Sequence, residues 1–215
     1  MEILSSAIGF AKEKLAVFDA GHDWNHIERV LKLARIIQKE ESSGDRMIIE
    51  LSAILHDIAD TKFYKGSETD GGDMAYNFLL ENGLDEDNAR HIKEIINNIS
   101  FKKHLDSVKI NSIEFQIVQD ADRLDAIGAI GIARAFHYGG YKNRALYDPD
   151  IPPMNYETIG EYLNSPSPTI NHFYEKLLLL KSKMNTTTGK RLAEDRHAYM
   201  VNFIARFKSE WDGEI

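Results

Sequence analysis

Two histidines, His22 and His26, stand four residues apart in the stretch GHDWNHIERV. On a helix that spacing puts both imidazoles on one face. A histidine–aspartate doublet, His56-Asp57, follows the apolar run LSAIL. Three carboxylates, Asp120, Asp122 and Asp125, crowd the stretch VQDADRLDAIGAIG. These are the residue types that ligate divalent cations through nitrogen and oxygen, and such a set suits Mn, Mg, Fe, Co, Ni or Zn without choosing among them. The chain has no cysteine. That excludes a disulfide framework, cysteine-type zinc fingers, iron–sulfur clusters and a thiolate nucleophile, so any metal site must come from His, Asp and Glu.

Each stretch has two readings. His22 and His26 are either a metal-binding pair, one ligand with a neighbour, or two surface histidines. His56 and Asp57, if helical, point about 100° apart. They converge on a metal lying between their directions, or they form an internal hydrogen-bonded pair that offsets the cost of burial. Asp122 and Asp125, three apart, share a helix face, and three such neighbours repel one another unless a cation or a group such as Arg123 compensates. The alternative is a solvated face with an Asp–Arg pair.

The elements that must position these residues read as helices. Apolar residues recur at helical spacing over Met1 to Phe18, Asp23 to Glu40 and Met47 to Ala59. Asp23 and Asp45 are expected N-caps. Residues 60 to 72 read as a loop, Asp73 to Glu81 as a helix stopped by Asn82-Gly83, and Asp85 as the cap of the next helix. Asn111 with Glu114 has the spacing of a capping box. The helix it starts runs to about Ile127, where Gly128 and Gly131 bend it or permit close packing. GGYKNRALYDPDIPP is the longest irregular stretch, suited to a lid or a partner surface. Ser167-Pro168 resembles a cap followed by proline at the first helical position, and two helices follow, about Thr169 to Met184 and Thr188 to Trp211. Strand alternation is absent. The expected class is all-α, a compact multi-helix bundle forming one domain over residues 1–215.

The formal net charge is −8, which argues against a nucleic-acid polymer as partner. A small anion held by a metal and a few local cations stays open. No run approaches the ~18 apolar residues of a membrane span. The N-terminal MEILSSAIGFAKEKL lacks the basic and continuous apolar regions of a signal peptide, so the cytoplasm is the expected compartment.

Taken in order, His26, His56-Asp57 and Asp122 resemble the ligand pattern of the HD superfamily of metal-dependent phosphohydrolases. The flanks HIERVLKLA, ILHDIAD and DADRLDAIGAIGIAR resemble that family's motifs. The resemblance covers about residues 20–135, with a helical extension over about 155–212, and similarity to small stand-alone bacterial members continues through GKRLAEDRH. It implies one divalent metal held by His26, His56, Asp57 and Asp122. His22, Asp120 and Asp125 do not match the motif. The intermediate histidines of the binuclear members are missing, since EIINNISF offers Asn97 and Asn98 and neither His91 nor His104 has the family's arrangement.

The implied activity is cleavage of a phosphoester or phosphoanhydride of a small molecule, a nucleotide foremost, by metal-activated water. Asp57 would help orient that water, and Asp60, three residues on, is a candidate proton acceptor or supporting group. Lys62, Lys65, Arg29 and His22 are candidates for substrate contact, each balanced by an ordinary solvated role. Tyr138, Tyr141 and Tyr147 flank the long loop and are read as its anchors. A non-catalytic metal- and nucleotide-binding sensor is the alternative, and oxidative chemistry at an iron pair is a third reading. A homodimer would use the 139–153 loop or the C-terminal helices.

Overall fold

The computed structural model describes residues 2–16, 24–59, 71–99, 110–154 and 167–214. Helices dominate, and no strand occurs among the described residues. Two compact units divide the chain, Met1–Asp122 and Arg123–Ile215.

The first unit contains α1 (Glu2–Leu15), α2 (Trp24–Glu41), α3 (Arg46–Leu55), α4 (Gly71–Glu81), α5 (Glu86–Ile99) and most of α6 (Ile113–Asp125). Helix α3 is its centre. Every residue from Ile48 to Leu55 is buried, and α3 packs against α1, α2 and α5, while α4 packs on α5. The apolar faces predicted from periodicity supply the core: Ile27, Val30, Ala34 and Ile37 of α2, and Ala89, Ile92, Ile95 and Ile96 of α5.

Local side-chain chemistry starts α3 and α5 as expected. Asp45 accepts the N–H groups of Met47 and Ile48, at 2.7 and 3.2 Å. Asp85 accepts the N–H of Asn88 at 3.0 Å. These contacts satisfy donors that a helix N-terminus otherwise leaves orphaned. Asp23 lies outside the described residues.

Two carboxylates, one buried and one partly buried, tie the helices together. Glu50 on α3 takes a two-pronged grip from Arg35 on α2, with Nε to Oε1 at 3.0 Å and Nη2 to Oε2 at 2.8 Å. It also accepts Arg46 Nε at 2.6 Å. Burial acts to raise the Glu50 pKa, but the bonds from Arg35 and Arg46 outweigh it and hold the carboxyl below its ordinary range. Glu114 on α6 accepts the backbone N–H of Asp45 at 2.9 Å, and its other oxygen lies 3.6 Å from His91 Nε2 on α5.

That second tie corrects the expected capping box. Glu114 reaches across to the start of α3 instead of back to Asn111. Ser112 takes the capping role, accepting the Phe115 N–H at 3.2 Å, while Asn111 bonds Gln116. The registers differ by one residue because the hydroxyl of Ser112 is the side chain that reaches the third helical N–H.

Other boundaries moved as well. Helix α3 stops at Leu55, four residues before the expected end, with His56 as its C-cap. Helix α4 takes in Gly71 and Gly72, which the polar pattern of residues 60–72 predicts as loop. A carboxamide occupies the space beside Gly72, since a Cβ added there would lie 2.3 Å from Asn97 Oδ1.

The second unit contains α7 (Gly128–Tyr141), α8 (Asn171–Glu175), a 3₁₀ stretch (Leu177–Lys183) and α9 (Thr187–Trp211). The break between α6 and α7 falls at Ala126-Ile127, and Gly128 has φ +77°, a conformation that favours glycine. The single helix expected over Thr169–Met184 is two pieces. Ser167 does not cap it but donates to Glu175 Oε1 at 2.8 Å. The N–H groups of Thr169 and Ile170 turn to the carbonyls of Ala145 and Leu146. Lys176, at φ −144° and ψ −57°, leaves helical geometry before the 3₁₀ stretch. Helix α9 is capped by Thr186, whose hydroxyl accepts the Gly189 N–H at 2.9 Å. It packs on α7 and the 3₁₀ stretch, and an aromatic cluster of Phe136, Phe173, Phe203 and Phe207 joins it to α7 and α8.

Among the described residues no helix is long and apolar enough to cross a membrane.

Candidate metal centre

His26 sits in the first turn of α2, His56 and Asp57 at the C-terminal end of α3, and Asp122 in the last turn of α6. Three helices thus bring residues from distant parts of the chain to one place. His26, His56 and Asp122 each offer a ligand atom, and these atoms all lie within 4.8 Å of one another.

His26 Nε2 is 3.5 Å from Asp122 Oδ1, and His56 Nε2 is 3.8 Å from the same oxygen. Asp57 joins from the side of His26, its Oδ2 4.0 Å from Nε2. Bonds of about 2.1 Å to one ion leave ligand atoms roughly 3 to 4.2 Å apart. The spacing fits a shared cation.

The imidazole rings of His26 and His56 stand 5.4 Å apart at 67°. His56 Nδ1 lies 2.9 Å from the Ala53 carbonyl oxygen. A carbonyl only accepts, so Nδ1 is the donor here, which leaves Nε2 as the nitrogen available to ligate a cation. The bond also explains how the doublet converges. His56 and Asp57 lie in the turn that ends α3, not at successive positions within a helix, and the ring turns back on the last helical turn.

Burial orders the site. The His26 and His56 side chains are 3 and 4% exposed, against 19% for Asp57 and 33% for Asp122. The imidazoles form a floor toward the core and the carboxylates a rim toward solvent. The C-terminal end of α3 adds partial negative charge, which favours a cation there.

The other sequence candidates divide in two. His22, Asp60, Lys62 and Lys65 lie outside the described residues. Arg29 stands three residues after His26 on α2 and is partly buried. Asp120 and Asp125 are buried and apart from the cluster. Asp125 pairs with Arg134 at 2.6 Å, and Arg123 Nη1 donates to the Lys183 carbonyl. Ala53 was not singled out from the sequence. Its only signal was its position three residues before His56, where a helix carbonyl comes within reach of a side chain.

The fold and the centre define a class, and the comparisons agree. The HD domain model matches residues 23–127. The chain belongs to the HD-domain family. It is 37% identical to the uncharacterized protein YpgQ of Bacillus subtilis (strain 168) over 195 residues, covering 90% of this chain and 86% of that one. Its fold is similar to a crystal structure from Lactobacillus plantarum, with TM-score 0.84, 39% identity, and 99% and 98% of the two chains covered. It is similar to an HD-superfamily hydrolase from Bacillus thuringiensis, with TM-score 0.78, 44% identity, and 98% and 97% covered. YpgQ has been crystallised in complex with ADP, and that structure matches with TM-score 0.77 and 34% identity over 97% of this chain and 95% of the other.

Proposed function

We propose that this protein is a metal-dependent phosphohydrolase acting on a small phosphorylated molecule, with a nucleotide as the first candidate. The observation that carries the reading is the convergence of His26, His56 and Asp122 within 4.8 Å, with Asp57 beside them. With both imidazoles neutral, these four side chains carry two negative charges. A phosphate approaching that rim would be repelled unless a cation lay between. The ADP bound by YpgQ supports a nucleotide as the ligand.

His26, His56, Asp57 and Asp122 would hold one divalent ion. Such an ion acidifies water and offsets charge developing on a phosphoryl group. The protein's own part is to fix the donors. The Ala53 carbonyl holds the His56 ring with Nδ1 as donor, which leaves Nε2 available to ligate, and the buried floor keeps bulk water on the carboxylate side only. Asp57, on that side, is placed to accept a hydrogen bond from an attacking water and orient it. Asp60 is assigned the supporting proton acceptor, and Lys62, Lys65, Arg29 and His22 the contacts to the phosphate.

The same nucleotide complex would also suit a module that binds without turnover, and one experiment separates the two. Chelator-stripped protein is reloaded with Mn²⁺ and assayed against nucleoside di- and triphosphates. His26→Ala is expected to abolish metal binding and Asp57→Ala to abolish hydrolysis, while His22→Ala keeps the metal. Hydrolysis at the wild-type rate in reloaded Asp57→Ala would refute the mechanism. Tight nucleotide binding with no product in the wild type would favour the sensor.

A further inference from the structure

The segment GKRLAEDRH, Gly189–His197, supplies none of the ligand atoms of the centre described above. It lies on α9, and one of its side chains reaches the end of α6. Arg196 Nη1 donates to the carbonyl oxygen of Leu124. That oxygen also accepts the N–H of Ile127 at 3.2 Å, and the Arg123 carbonyl accepts that of Ala126, also at 3.2 Å. The last carbonyls of a helix have no donor from the next turn. Here two short-range backbone bonds and one guanidinium take that place.

The arginine is held there by its stem as well as its head. A Cβ added at Gly128 would lie 3.0 Å from Arg196 Cγ and 3.1 Å from its Cβ. Gly128 therefore makes the space through which the side chain passes. Burial lowers the Arg196 pKa, and the neighbouring Asp125 and Asp195 oppose that effect. A guanidinium remains charged in such a setting, and a cation at a helix C-terminus is favourably placed against the helix dipole.

Leu124 follows Asp122 by two residues on the same helix. A carboxylate in a last turn is held only as well as that turn, because helix ends fray first. We propose that Arg196 is a positioning residue for the metal centre: by binding the Leu124 carbonyl it keeps the last turn of α6 wound and holds the Asp122 carboxylate where it can ligate. The proposal rests on Asp122 being a metal ligand.

The test is Mn²⁺ affinity, measured by calorimetric titration of chelator-stripped full-length protein at a temperature where circular dichroism shows every variant folded. Arg196→Met keeps most of the stem and loses the donor. Its Kd is expected to rise about tenfold, as for other groups that support ligands from behind. Arg196→Lys keeps a charge but lacks the planar fork and the full reach, so its Kd rises by a smaller factor. Phe207→Leu, in the aromatic cluster with Phe136, Phe203 and Tyr147, weakens the same unit and is expected to leave the Kd unchanged.

A wild-type Kd in Arg196→Met overturns the proposal. If that variant does not fold, a wild-type Kd in Arg196→Lys overturns it equally. So does a rise in Phe207→Leu as large as that in Arg196→Met, which would make the effect one of general stability. Wild-type protein that binds no Mn²⁺ in the same titration would overturn the metal reading itself, and that result needs no variant to detect.

Discussion

Replacing Glu50 with glutamine keeps the shape of a buried side chain and removes its charge. Glu50 is 2% exposed and accepts three hydrogen bonds from two guanidiniums. Breaking a buried ion pair commonly costs about 3 to 5 kcal/mol, because the charge left behind is uncompensated. Here the groups left behind are Arg35 and Arg46, whose side chains are 45 and 71% exposed, and water can solvate them. The loss therefore falls below that range. What remains is a carboxamide NH₂ facing guanidinium donors in a buried site, worth about 1 to 3 kcal/mol, and the weakening of the remaining bonds from charge-assisted to neutral.

We expect Glu50→Gln to lose about 2 to 3 kcal/mol of stability at pH 7.5, or about 4 to 12 °C in Tm for a chain of this size. Urea unfolding followed by circular dichroism measures it. The pH series carries a second test. The folded-state pKa of Glu50 is depressed, since the arginine bonds outweigh burial. Its stabilisation is then fully present above the unfolded value of about 4.3 and is lost as pH falls through the folded one. The gap between wild type and variant should be level from pH 7 to about 5.5 and narrow below about 4. A gap under about 0.5 kcal/mol at pH 7.5, the scatter of ordinary surface changes, would refute the reasoning. So would a gap that does not narrow between pH 5 and 3.

Two further outcomes follow from the second unit. Burial pushes the His172 imidazole down to about 3, with Lys176 and Arg144 adding to the effect. The neutral ring then contributes stability that is complete above the unfolded pKa of about 6.5 and falls by about 1.4 kcal/mol per pH unit below it. His172→Asn should flatten the wild-type slope between pH 6 and 4, and an unchanged slope would exclude this origin. Gly128→Ala places a side chain at φ +77° and against the Arg196 stem, so a loss of about 1 to 3 kcal/mol is expected in thermal unfolding. A neutral or stabilising result would contradict the strain.

Much of the fold was legible because it rests on short-range rules. The apolar period of α2 and α5, the Asp45 and Asp85 caps and the stop after α4 all depend on side chains within about four residues of the backbone they act on. Glu114 shows the boundary of that reasoning. The spacing to Asn111 suggested a local cap, yet its carboxylate serves Asp45, 69 residues away in the chain. Asp125 likewise reaches past its own helix, pairing with Arg134 nine residues on. Nothing local dictates either pairing, because each depends on which helix lies alongside.

The candidate site divides in the same way. Residue types, the absence of cysteine and the order of His26, His56-Asp57 and Asp122 were determined by the sequence, and with them the class of ion the site could take. The place of the doublet was not, since the expected helix to Ala59 ends at Leu55 and His56 closes it through the Ala53 carbonyl. Tertiary structure alone decided that two imidazoles lie as a floor and two carboxylates as a rim. Distances of 3.5 to 4.0 Å among atoms from residues 26, 57, 56 and 122 arise from how α2, α3 and α6 pack. Packing is a sum over many weak contacts between segments far apart in the chain, and no window of sequence contains it.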